Sequence, residues 1–157
     1  MADSKRFNGD VAFNGAVKLR GYDTKVPSIL VKHAAPTALG DGAAVGITIA
    51  QLLTGVMTAD PQGDRAFTLP TAADAVAGVT GVEVGDCIDF TIISLATANA
   101  DETITLGAGS GGSVVGNAAI LSPNAGDNEY SSGSALFRLR FTNVTAGSEA
   151  YTCHRLA

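Results

Sequence analysis

The chain has 157 residues, 46% hydrophobic and 16% charged, with 10 Lys and Arg against 15 Asp and Glu for a net charge of −5. That length and apolar content suit one folded domain and oppose intrinsic disorder. The acidic balance lacks the cationic footprint of a phosphate-gripping protein, so nucleic acid is not expected as a partner, and no apolar run reaches the ~18 residues of a membrane span.

The opening MADSKRFNGD is polar and mixed in charge, which reads as neither signal peptide nor membrane anchor. Behind it lies a six-residue repeat. An apolar residue recurs at Phe7, Phe13 and Leu19, and a glycine at Gly9, Gly15 and Gly21. Six is a multiple of two, so an extended chain places Phe7, Val11, Phe13, Val17 and Leu19 on one side of a ribbon. Three such units are too small to enclose a core, and their apolar face must lie on the main body or on other subunits. Two readings follow: an arm over residues 1–25 that pairs with neighbouring chains, or two ordinary strands joined at Asn14-Gly15.

From Val26 to Ala157 the pattern is mostly β. Residues 28–32 form a short apolar strand closed by Pro36, and residues 65–69 alternate up to Pro70. Residues 87–93 follow the turn signal Val84-Gly85-Asp86, residues 103–106 alternate, and residues 113–116 resume after a glycine-rich loop. Residues 135–142 carry the clearest alternation, with Leu136, Arg138 and Arg140 opposite Phe137, Leu139 and Phe141. The last strand, 150–156, pairs with it across a turn. Two helical turns interrupt this pattern. Thr48 to Gly55 and Thr71 to Gly78 each open on threonine, carry Gln51 or Asp74 three residues later, and close on glycine. That is the chemistry of an N-cap and a left-handed stop.

Few residues carry a reaction pattern. Gly107-Ala108-Gly109-Ser110-Gly111-Gly112 contains G-x-G-x-x-G, but a strand follows where a dinucleotide site needs a helix, so the segment reads as a flexible hairpin loop. His33 and His154 sit in apparent strands with no fixed acid or nucleophile beside them, and no G-x-S-x-G is present. Cys87 and Cys153 are too few for a disulfide scaffold, lack metal-binding spacing, and read as buried, inert thiols. Asp86, Asp89, Asp101 and Glu102 lack the EF-hand spacing and read as solvated turn acids. Arg138 and Arg140 suit either pairing with acids on a partner or an ordinary exposed face. No enzyme activity, metal or cofactor is expected.

Phe67-Thr68-Leu69-Pro70-Thr71-Ala72-Ala73, Val84-Gly85-Asp86 before a strand, Thr105-Leu106-Gly107-Ala108-Gly109, and Phe137-Arg138-Leu139-Arg140-Phe141-Thr142-Asn143 closing on Ala150-Tyr151 together resemble small β-sandwich proteins of tailed-bacteriophage virions. Those are the head decoration or cement proteins and related fibre-like proteins, and the resemblance spans residues 65–156. It implies a jelly-roll-like β-sandwich, a homotrimer, and binding to the major capsid protein on the capsid exterior after assembly in the bacterial host cytoplasm. The expectation is therefore an all-β, non-enzymatic virion structural protein: a jelly-roll-like sandwich over residues 26–157 with short capped helical turns, and an arm whose Phe7, Val11, Phe13, Val17 and Leu19 carry assembly. The alternative is a carbohydrate- or receptor-binding jelly roll of a phage fibre. It is weakened by the absence of Trp and the presence of only Tyr22, Tyr130 and Tyr151 to stack on a sugar ring.

Overall fold

The computed structural model describes residues 34–96, 102–123 and 133–157. The expected strand 28–32, His33, and the arm residues Phe7, Val11, Phe13, Val17 and Leu19 lie outside the described residues. Within them the chain runs β1 (Thr37–Ala38), β2 (Ala44–Gly46), α1 (Ile49–Leu52), β3 (Val56–Ala59), β4 (Arg65–Thr68), α2 (Ala72–Ala77), β5 (Cys87–Ser94), β6 (Thr103–Gly107), β7 (Gly112–Val115), β8 (Ala119–Leu121), β9 (Ser134–Asn143) and β10 (Ala150–Arg155). The β-rich character and the two short helices are as the sequence pattern implies.

One sheet has the order β1-β3-β5-β9-β10-β7 and the other β2-β4-β6-β8. Successive strands from β1 to β8 alternate between the two sheets, so the chain winds as a coil that lays one strand on each sheet per turn. This winding makes neighbours parallel: β1 with β3, β3 with β5, β2 with β4 and β4 with β6. The β9–β10 hairpin then inserts between β5 and β7, antiparallel to β5. A jelly roll is built from antiparallel neighbours, and the parallel pairings here depart from that pattern. Hydrophobic alternation fixes which face of a strand is buried but carries no information on the direction of the strand beside it.

Both sheets feed one core. Alternation on β9 buries Ala135, Phe137, Leu139 and Phe141 and leaves Leu136, Arg138 and Arg140 outside, as the sequence implies. Phe137 lies in register with Phe90 of β5, and their rings stack with centroids 5.5 Å apart. Met57 and Ile92 extend this layer, while Phe67, Ile104 and Leu106 close it from the second sheet. Burying each such side chain contributes about 1.5–3 kcal/mol, and this offsets the ordering entropy that short strands cannot meet alone.

The helices form for the reasons their sequences give, with one difference. The Gln51 N–H donates to Thr48 Oγ1 at 3.3 Å and the Thr48 N–H donates to Gln51 Oε1 at 2.8 Å, a complete capping box. At α2 the Asp74 N–H donates to Thr71 Oγ1 at 3.1 Å, and the Thr71 hydroxyl donates to Asp74 Oδ2 at 2.7 Å. Gly55 has φ of 76° and provides the expected left-handed stop. Gly78 does not: its φ is −83°, and a Cβ there would lie 2.2 Å from Ile49 Cγ2. Its small size is required because α1 packs against it.

Candidate functional site

The glycine-rich segment after β6 is a tight crossing between sheets, not a flexible hairpin. β6 and β7 belong to different sheets. The Tyr151 hydroxyl accepts from the Gly109 N–H at 3.0 Å and donates to Pro70 O at 2.9 Å, so it clasps this crossing to the start of α2. Burial pushes the Tyr151 phenol above its ordinary pKa. A Cβ on Gly112 would meet the Tyr151 ring at 2.2 Å, and one on Gly109 would meet Pro70 O at 2.5 Å. The glycines serve close approach to a buried tyrosine, and the following residues form β7 rather than a phosphate-binding helix.

The outer face of the larger sheet gathers the other singled-out side chains. Register places Val115, His154, Arg138 and Asp89 in one row across β7, β10, β9 and β5. Arg138 Nε donates to Asp89 Oδ1 and a second guanidinium nitrogen donates to Oδ2, both at 2.7 Å. The Arg138 hydrogen bonds hold the Asp89 carboxyl below the usual carboxylate range and push the arginine up. This contribution is therefore present above the ordinary carboxylate pKa and is lost as pH falls through the depressed value. Arg138 stands between His154 and Asp89 in the register, so the carboxylate is occupied by a guanidinium and not by the imidazole. The row is an ion pair on a strand face, and it lacks the base–orienter contact of a hydrolytic triad.

The remaining acids are dispersed. Asp86 Oδ2 accepts from the Glu83 N–H at 2.9 Å within the turn before β5, Asp89 pairs with Arg138, and Glu102 is buried just before β6 in the other sheet. Asp101 lies outside the described residues. Asp41, which the sequence did not single out, pairs with Arg65 at 2.7 Å and also accepts from the Gln62 N–H.

The two cysteines part company. Cys153 is buried, as expected, and burial pushes its thiol up to about 12. Cys87 is exposed at the start of β5, its thiol donating to Gly85 O at 3.4 Å. The chain alternates faces, so Cys87 points outward with Asp89 and Cys153 inward with Tyr151, and no disulfide joins them. Maleimide treatment of the native protein at neutral pH is expected to add one label, on Cys87, with the second appearing only in denaturant; mass spectrometry showing two native labels would contradict this placement.

A shallow cavity of about 440 Å³ lies between the two helical turns, lined by Ile47, Ile49, Leu69, Pro70, Thr48 and Thr71 among others. Thr48 and Thr71 are engaged in helix caps, and Thr68 and the Asp74 carboxylate add the remaining polar side chains to a mostly apolar wall. Tyr151 is buried and offers no face for a sugar. Tyr22 and Tyr130 lie outside the described residues.

No family model, curated protein or solved structure matches this chain.

What remains is a question of edges. Among the described residues β1 and β7 bound the larger sheet and β2 and β8 the smaller. β1 and β2 are the first strands of the described chain and stand in different sheets. Ala38, Ala44 and Gly46 on these edges are exposed. Sequence reading missed both strands, because the two residues of Thr37–Ala38 and the small residues around Ala44–Gly46 are too few to show alternation.

Proposed function

We propose that this protein is a non-enzymatic virion structural protein. In this reading it decorates and stabilises a phage capsid as a homotrimer bound to the major capsid protein on the capsid exterior. The observation that carries the reading is the exposed first turn of the coil. In sequence, a segment patterned as a strand-forming arm precedes β1 and β2, which are edge strands among the described residues, and open edges are where chains add to one another. The ion pairs Asp41–Arg65 and Asp89–Arg138 and the threonine hydroxyls described above tie the domain's own strands and caps together, which suits a structural role. Two β sheets around one core support the jelly-roll-like sandwich that the resemblance implies, and the parallel pairings are where this chain departs from it.

Assembly of this kind stabilises by removing apolar surface from water at ~25 cal/mol per Å², and a cyclic trimer repeats the gain at each interface. Deletion of residues 1–24 is expected to leave the β-rich circular dichroism spectrum in place while lowering the mass in solution or abolishing attachment to capsids. Phe13→Asp in the full chain should act the same way, because a charge on the packed face has to be desolvated without a partner. Unchanged mass and unchanged capsid attachment in both variants would overturn the reading.

A further inference from the structure

We propose that the β2 edge of the smaller sheet accepts residues 7–19 of a second copy as an added strand; this rests on the assembly reading above and names where the arm docks. Three observations carry it. The first is backbone arithmetic. In the β2–β4 pairing the Ala66 N–H donates to Ala43 O and the Ile47 N–H donates to Thr68 O, with Ala44 opposite Ala66 and Gly46 opposite Thr68. In a parallel ladder this directs the N–H and C=O of Ala44 and Gly46 away from β4, toward the open side. Among the described residues they meet no partner there.

The second is the contrast with the far edge of the same sheet. On β8 the Ala119 N–H donates to Asn117 Oδ1 at 3.0 Å, and the Arg155 guanidinium donates to the carbonyls of Ala119 and Asn117. Side chains thus occupy both outward backbone groups of Ala119, which blocks strand addition at the start of β8. Among the described residues the β2 edge carries no such cap, and a Cβ on Gly40 or Gly46 would meet nothing within 4 Å. A strand has room to approach.

The third is an apolar row cut short. Val45, Phe67 and Leu106 lie in register across β2, β4 and β6, facing the core. Phe67 and Leu106 are 1% and 2% exposed, whereas Val45 is only partly buried at the end of the row. An incoming strand with large apolar residues on one face continues that row. Residues 7–19 supply Phe7, Val11, Phe13, Val17 and Leu19 at the spacing this requires. The occupant is thus an apolar-faced strand, and it is held by main-chain hydrogen bonds to Ala44 and Gly46.

The test uses the full chain. Ala44→Pro removes an outward N–H while sparing the bonds to β4, and edge strands tolerate proline. It is expected to leave the urea midpoint near wild type and to weaken self-association about tenfold or more, read by light scattering across a dilution series. In a Cys87→Ser background, mixing chains that carry Asn14→Cys with chains that carry Gly46→Cys should give an intermolecular crosslink. A folded Ala44→Pro variant with wild-type mass and no such crosslink overturns the docking site, while the arm reading survives if Phe13→Asp still dissociates the oligomer. A wild-type chain that stays monomeric and binds no capsid overturns both.

Discussion

Phe137→Ala is expected to lower the unfolding free energy by about 3–5 kcal/mol, the range for emptying a large aromatic site in a packed core. Phe137 is fully buried at the centre of β9, between β5 and β10, with its ring stacked on Phe90 at 5.5 Å. The cavity left behind would face Phe90 and the second sheet together, and closing it requires both sheets to move. Equilibrium denaturation in urea measures the change. A loss under about 1 kcal/mol would mean that the two sheets do not share the core described here.

Gly109→Ala is the second large effect, expected at about 3 kcal/mol, the upper part of the usual overpacking range. The added Cβ would lie 2.5 Å from Pro70 O and 2.6 Å from Leu69 O, both backbone atoms that no rotamer change moves aside. The same shift would strain the hydrogen bonds that the Tyr151 hydroxyl makes to Gly109 and Pro70. Gly46→Ala is the matched control: its Cβ meets nothing within 4 Å, so its effect should stay within about 0.5 kcal/mol. Equal midpoints for the two variants would contradict the close approach of the β6–β7 crossing to α2.

The parts of the fold that the sequence made legible are those with a local cause. β9 follows from alternation of Phe137, Leu139 and Phe141 against Arg138 and Arg140, and α1 and α2 follow from threonine caps and a reaching Gln51 or Asp74. What stayed hidden has a non-local cause. The parallel order β2-β4-β6 is set by where the chain returns after each turn, and the strand pattern is the same for either direction. Gly78 and Gly109 look like ordinary turn glycines, yet each is held to that size by a neighbour distant in sequence, Ile49 and Pro70. Cys87 and Cys153 both sit in apolar strands, and only strand phase places one outside and one within.

Of the candidate site, Asp89 and Arg138 were each visible as residues, but their pairing required the β5–β9 register. The β1 and β2 edges gave no signal at all, since two- and three-residue strands of Thr, Ala, Val and Gly carry no period. The arm was legible only as a pattern in search of a surface, and the half-buried Val45 at the end of its row marks the surface proposed for it.

The most direct test of this account is the mass of the full-length chain in solution by light scattering across a range of concentrations, with and without Ala44→Pro. The account predicts an assembly of several copies that the edge substitution breaks down to protomers. A wild-type mass of 15.8 kDa at every concentration, with no attachment to capsids, would contradict it.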